Sequence, residues 1–292
     1  MDSRWNIATL QTSENVKIRY GVYSEDPNNI DNFVVFINGH GEYIEKYSYL
    51  PQDLKLPPRC AFLTWDHRGQ GASDGNPRLH IEDYDQLGQD AKFIVESIIG
   101  SKPYKIVAHS MGGLITVYST MKSYLKPQKI IMSAPLFGIQ HAIPESIGRF
   151  ISRLGTKLGF EKTYFQRKLQ EKSFEKNIFT HSLERYERRF KSPYVIEGIT
   201  VGWIKSTFDA IDYINGQMNL QKFETPTKIL YGDDERLVST EAIEKWLQRA
   251  QKFSKAPISS QVLTKTRHEI FAEAPESYSQ VLNYTHRFLF EV

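Results

Sequence analysis

The sequence predicts an α/β fold: a mostly parallel central sheet flanked by helices, with a helical insertion. Three observations carry that prediction. Short β-rich runs, apolar on both faces, recur along the chain, as strands of a sheet covered on both sides do. Amphipathic helical stretches lie between several of them, the alternation expected of parallel strands joined by right-handed crossovers. The alternation then stops between about Leu136 and Asn215, where several helical patterns follow one another and no buried strand is legible.

In chain order, Trp5 to Leu10 and Val16 to Val22 read as a strand pair. The buried runs are Phe33 to Ile37, Ala61 to Trp65, Lys105 to Ala108, Ile130 to Met132, Lys228 to Tyr231 and Ser260 to Leu263. Leu87, Ala91, Ile94, Val95 and Ile98 share one helical face, and further helices are expected after Met111, from near Thr240, and from Pro275 to the end. The division is a core of residues 1–136 and 216–292 with a helical cap of residues 137–215. In the cap, Ile143, Ile147, Phe150, Ile151, Leu154 and Leu158 form an apolar stripe, with Arg149, Arg153 and Lys157 elsewhere on the wheel. The simplest expectation is that this stripe packs the cap onto the core. The other is a lid helix turned toward lipid or an interface, with basic flanks.

The 292 residues can bury a large core. A formal charge of +3 is too small to indicate nucleic-acid binding. The start of the chain lacks a continuous apolar segment of signal-peptide type, and no stretch is long enough to span a bilayer, so a cytoplasmic protein is expected. Cys60, the single cysteine, lies in an apolar run and reads as a buried core thiol. Scattered histidines and one buried cysteine offer no metal-ligand spacing, so neither metal nor cofactor is expected. The Gly-rich turn Asp66 to Ser73 lacks the endings of phosphate and dinucleotide loops and reads as structural support.

The chemistry is carried by a serine. The run Tyr104 to Ala108 ends in Ala108-His109-Ser110-Met111-Gly112 and opens directly into a helix. A strand-to-helix turn this tight needs small residues two before and two after the serine, and it presents the hydroxyl at a helix N-terminus: a nucleophile elbow. An acylating serine also needs a base, an acid to orient that base, and donors for the oxyanion. Lys228 to Tyr231 runs into Gly232-Asp233-Asp234-Glu235-Arg236, a turn with three carboxylates. The last strand is followed by a loop carrying His268, just ahead of the C-terminal helix. His268 is therefore the candidate base. Any of the three carboxylates, Asp233, Asp234 or Glu235, could reach the imidazole, so the turn supplies the acid without singling out one of them. The backbone amides of Met111, after the nucleophile, and His40, in the glycine-containing loop Asn38 to Glu42, are the candidate oxyanion donors.

Five segments in order resemble the α/β-hydrolase fold family, specifically its monoacylglycerol lipase and bacterial lysophospholipase branch. Asn38-Gly-His-Gly-Glu42 with Tyr47 is similar to that branch's H-G-x-G-E…Y segment, and Asp66 to Gly75 to its D-H-x-G-x-G-x-S-x-G turn. Ala108 to Gly113 resembles its elbow, and Ser133-Ala-Pro135 the strand end before the cap. Val201-Gly-Trp203 and Glu235-Arg-Leu-Val238 look more like the lysophospholipase side, where the acid sits three after the glycine and directly before Arg, so the resemblance implies Glu235 as the acid, with Asp234 the alternative. Three positions depart from the pattern: Ala108 for Gly, Asn38 for His, and Glu235 for Asp.

The resemblance implies a serine ester hydrolase for single-chain lipids, a monoacylglycerol or a lysophospholipid, with peripheral membrane contact through the cap. A soluble ester, thioester or peptide would suit the same triad, and a non-catalytic binding protein on this fold is the remaining alternative.

Overall fold

The computed structural model describes residues 2–140, 145–165 and 173–291. The strands are β1 (Trp5–Gln11), β2 (Lys17–Tyr23), β3 (Asn32–Ile37), β4 (Cys60–Trp65), β5 (Tyr104–His109), β6 (Ile130–Ser133), β7 (Tyr164–Phe165), β8 (Ile199–Thr200), β9 (Thr227–Gly232) and β10 (Ile258–Leu263). The helices are α1 (Leu50–Asp53), α2 (Tyr84–Ile98), α3 (Met111–Met121), α4 (Glu145–Lys157), α5 (Leu183–Phe190), α6 (Val201–Asn215), α7 (Gln217–Leu220), α8 (Thr240–Phe253) and α9 (Pro275–Phe290).

Eight strands make one sheet in the order β1-β2-β4-β3-β5-β6-β9-β10. The first two pairings are antiparallel and every later one is parallel. This is the α/β-hydrolase fold that the sequence predicts. Every expected core strand is found, its ends displaced by no more than two residues.

Why these runs form the sheet is visible in their alternation. Val34 and Phe36 point to one core cluster with Phe62, Val107 and Ile131, under α9. Phe33, Val35 and Ile37 point to the other with Leu63, Ile106 and Met132, under α2, α3 and α8. Strands covered on both faces bury both sets of side chains, so the runs contain no polar alternation. Cys60 lies in this buried sheet as a free thiol.

Helix starts follow local chemistry. Asp83 accepts from Gln86 N at 2.9 Å to open α2, Thr200 from Trp203 N at 3.1 Å to open α6, and Ser239 from Ala242 N at 3.1 Å to open α8. Helix α3 begins after Ser110 with no side-chain cap. Its first amides are therefore left for another acceptor.

Among the described residues, the stretch read as a cap, residues 137–215, holds α4, α5 and α6 with a small antiparallel ladder, Tyr164 facing Thr200 and Phe165 facing Ile199. That ladder is absent from the sequence reading, because two-residue strands leave no period to detect. The last cap helix, α6, packs on α2 and α3 of the core as well as on α4.

The first expectation for the α4 stripe is overturned. Ile147, Phe150, Ile151, Leu154 and Leu158 are all exposed, Phe150 by 67 % and Leu158 by 62 %; Ile143 lies outside the described residues. Helix α4 docks through its small residues instead. Ser152 is the buried position, Gly148 lies against Phe208, and Gly155 against Val201. Arg149 and Arg153 reach over the seam to Asp212 and Asp209 of α6, at 2.8 and 3.4 Å. Small side chains let the helix backbones approach, and that closeness turns the bulky face outward. Among the described residues no helix is long and apolar enough to cross a membrane.

Candidate active site

The carboxyl ends of β3, β5, β9 and β10 converge on one edge of the sheet, where ligand crevices of open α/β folds form. Ser110 follows β5 directly, with φ 52° and ψ −117°. A non-glycine residue in that region costs about 1–3 kcal/mol and persists only where its surroundings enforce it. They do so here by crowding: a Cβ on Gly112 would lie 2.0 Å from the Ile37 carbonyl oxygen, and one on Gly113 2.7 Å from Pro135. Ala108, fully buried among core side chains, fits its extra methyl without displacing the turn.

His268 and Glu235 are both brought to this serine. His268 Nε2 lies 3.0 Å from Ser110 Oγ, and His268 Nδ1 lies 2.8 Å from Glu235 Oε2. The other oxygen of Glu235 accepts from the amides of Leu237, at 2.7 Å, and Val238, at 3.3 Å. Glu235 is thus fixed from both sides.

Asp234 is turned elsewhere. It pairs with Arg236 at 2.7 Å and with Arg267 at 3.0 Å, and His181 of the cap lies 3.4 Å away. Asp233 Oδ1 meets the Thr266 amide at 3.4 Å. Of the three carboxylates, Glu235 is the one that reaches the imidazole, the other two being directed to other partners.

Burial opposes the charged form of both partners, and their pairing outweighs it. The Glu235 carboxyl is held below its ordinary range by the His268 charge and hydrogen bond and then by the two amides. His268 is raised above its ordinary value by Glu235, with Glu269 and Glu42 adding to the effect. An imidazole poised to become imidazolium is what a general base for a serine requires.

The candidate oxyanion amides belong to the start of α3 and to the β3 loop, two segments so close that a Cβ on Gly112 would lie 2.6 Å from the Asn38 carbonyl oxygen. Met111 is the first residue of α3. In the β3 loop, Gly39 N donates to Glu42 Oε2 at 2.5 Å and Gly41 N to Gln70 Oε1 at 2.7 Å. Between them the His40 amide has no acceptor among the described residues. The His40 side chain turns to the cap, its Nε2 2.8 Å from the Gly198 carbonyl and its ring 4.5 Å from that of Trp203. Burial lowers its pKa to about 4, so it is neutral.

Sequence reasoning missed the residues that hold this loop. Gln70 belongs to the turn read only as structural support. That turn is itself pinned by Asp66, which accepts from Ile44 N and Ala72 N, each at 2.8 Å. In the sequence Glu42 stands out only as part of the H-G-x-G-E-like segment. Its Oε1 accepts from Tyr47 OH at 2.8 Å and pairs with Lys46 at 2.6 Å. The signal in the sequence is the spacing of Glu42 from Lys46, four residues on, and from the motif's Tyr47.

The profile of the Hydrolase_4 family, described as serine aminopeptidase, S33, matches residues 28–275. A probable lysophospholipase L2 of Haemophilus influenzae is 25% identical over 96% of this chain and 90% of its own length. The lysophospholipase L2 of Escherichia coli K12 is 28% identical over 71% of this chain and 65% of its own. Among solved structures, a soluble variant of the monoglyceride lipase of Saccharomyces cerevisiae superposes with a TM-score of 0.82 at 19% identity, covering 100% of this chain and 96% of that one. The monoacylglycerol lipase of Paleococcus ferrophilus gives 0.76 at 18% identity, covering 93% and 98%. With the fold, the elbow and a profile match spanning most of the sequence in agreement, the chain belongs to the Hydrolase_4, or serine aminopeptidase S33, family of α/β-hydrolases.

Proposed function

We propose that the protein is a serine carboxylic-ester hydrolase of single-chain lipids, a lysophospholipid or a monoacylglycerol, working through an acyl-enzyme on Ser110. The observation that carries this reading is the continuous relay Glu235, His268, Ser110, with contacts of 2.8 and 3.0 Å. His268 Nε2 takes the Ser110 proton as Oγ attacks the ester carbonyl, and the carbonyl π electrons move onto oxygen under the amides of His40 and Met111. One such donor is worth about 10²–10³ in rate. Collapse breaks the bond to the alcohol, which leaves with the proton from His268. Water, deprotonated by the same imidazole, then releases the fatty acid and restores Ser110.

The lipid substrate is supported by the lysophospholipase L2 relatives, one of which aligns through the cap as well as the core. The outward apolar face of α4 supports peripheral contact with a membrane. So does the balance of the cap, which has 13 Lys and Arg against nine Asp and Glu in residues 137–215. A soluble ester or a peptide is the second reading, favoured by the aminopeptidase description of the family.

Ser110→Ala is expected to lose hydrolysis of short p-nitrophenyl esters by about 10⁵–10⁶-fold and all labelling by a fluorophosphonate. Retained hydrolysis would end this mechanism. Fatty acid released from a panel of lysophospholipids and monoacylglycerols, compared with short soluble esters and aminoacyl peptides, separates the substrates. Activity confined to the soluble compounds would end the lipid reading.

A further inference from the structure

Resting on the serine-hydrolase reading, we propose that Arg189, a residue of the cap, is a positioning residue for the reaction. It holds the His268 loop and the oxyanion loop in register through a buried chain of alternating charges.

The chain can be followed atom by atom. Arg189 Nη1 lies 2.5 Å from Glu269 Oε1, and Glu269 is the residue after the base. The same Glu269 oxygen lies 2.7 Å from Lys46 Nζ. Lys46 Nζ in turn lies 2.6 Å from Glu42 Oε1, and Glu42 Oε2 takes the Gly39 amide at 2.5 Å, one residue before the His40 oxyanion donor. Lys46, Glu42 and Glu269 have side chains less than a tenth exposed. Two cations and two carboxylates thus alternate from the cap to the oxyanion loop. Helix α5 supplies the terminal cation.

The cap grips this chain at several points. Arg189 Nη2 reaches Glu197 at 3.3 Å, its guanidinium lies 3.9 Å from the centre of the Phe179 ring, and its carbonyl accepts from Tyr43 OH at 3.2 Å. The backbone carbonyl of Phe179 accepts from the Glu269 amide at 2.8 Å. Cap residues therefore hold both the side chain and the main chain of the position next to the base.

Removing the Arg189 charge leaves Glu269 and Glu42 sharing Lys46 and takes the cation from Glu197 as well, so the cluster beside His268 becomes more negative by one charge. Among the described residues, the charged and titratable groups on the elements about that imidazole include Glu235 from the β9 loop, His109 from the elbow, Glu42, Lys46 and the Glu42-bonded Tyr47 from the β3 loop, Glu269 and the Asp234-paired Arg267 from its own loop, and Arg189 with Glu197 from the cap. His109, with its ring 4.9 Å from that of His268, is buried and lowered to about 4, so it stays neutral. A net negative charge gained at this place favours imidazolium, and the free base then appears only at higher pH.

The test uses the full chain and a soluble short-chain p-nitrophenyl ester, which makes no demand on the cap as a lipid site. Arg189→Met is expected to move the acid limb of kcat/KM up by about 0.5–1 pH unit and to lower kcat below that limb roughly three- to tenfold, with KM little changed. Arg189→Lys is expected to return the limb toward wild type. In the double variant Arg189→Met with Glu269→Gln, the excess charge is gone and the limb should fall back as well. A limb that superimposes on wild type in Arg189→Met, or an equal loss in Arg189→Lys, would overturn the proposal and leave Arg189 a packing residue. The His268 imidazole followed by NMR against pH in wild type and Arg189→Met reads the same shift without turnover. A wild type that fails to react with the ester or with a fluorophosphonate would count against the hydrolase reading alone.

Discussion

Glu235, one methylene longer than an aspartate, meets His268 Nδ1 with one carboxylate oxygen at 2.8 Å while two amides fix its other oxygen. The charge of Glu235 raises His268. The neutral imidazole is the working form, so activity is lost as pH falls through that raised value. Glu235→Gln is expected to lower kcat by about 10⁴ and to move the acid limb of the residual activity to lower pH. Asp234→Asn, whose side chain meets Arg236, Arg267 and His181 and not His268 among the described residues, should leave both kcat and the limb close to wild type. The pH profile of kcat/KM on a soluble ester checks both. Exchanged behaviour of the two variants would reassign the acid. Ser110 and His268 were legible because a strand-helix turn and a loop after the last strand are local signals. The choice among Asp233, Asp234 and Glu235 was not, because three adjacent side chains leave one turn in different directions and only the tertiary path selects one. Glu42, Gln70, Glu269 and Arg189 were harder still. Arg189 and Glu269 are 80 residues apart, and neither side chain carries a mark of the other in the sequence.

Helix α4 shows what periodicity can and cannot tell. Its apolar spacing identifies one face as different from the rest, and it does not say which face is inside. Gly148, Ser152 and Gly155 pack where the large residues were expected, because close helix approach requires small side chains and the apolar set is then displaced outward. If that face enters a lipid surface, each large side chain buried there contributes about 1.5–3 kcal/mol. Phe150→Ser with Leu158→Ser is therefore expected to reduce co-sedimentation with anionic phosphatidylglycerol vesicles by tenfold or more, while Tm and hydrolysis of soluble esters stay unchanged. Undiminished vesicle binding would remove α4 from the membrane contact. The core strands were readable almost to the residue because each is buried on both faces. The β7–β8 ladder, whose Phe165 is exposed, offered no comparable pattern.

Across the whole molecule, α6 ends at Asn215 and packs on α2 and α3 of the core as well as on α4. Phe208 and Ile214 are buried, Tyr84 OH lies 3.3 Å from Thr207 Oγ1, and Trp246 of α8 donates to the Ile214 carbonyl at 3.2 Å. Cap and core should therefore unfold together, giving coincident thermal transitions by far-UV circular dichroism and tryptophan fluorescence. Two separated transitions would show that the cap melts independently. Sequence alternation made the eight-stranded sheet legible as a whole; the interlocking of cap and core was not, since it depends on which of several helices is shared. The burial of Cys60 within that sheet has a practical side. Burial pushes its thiol up to about 11, so it holds almost no thiolate at neutral pH. The native chain is thus a silent background for maleimide chemistry, and a cysteine introduced at Phe150 would carry the only dye on the molecule, reporting from the outward face of α4 without any prior mutation.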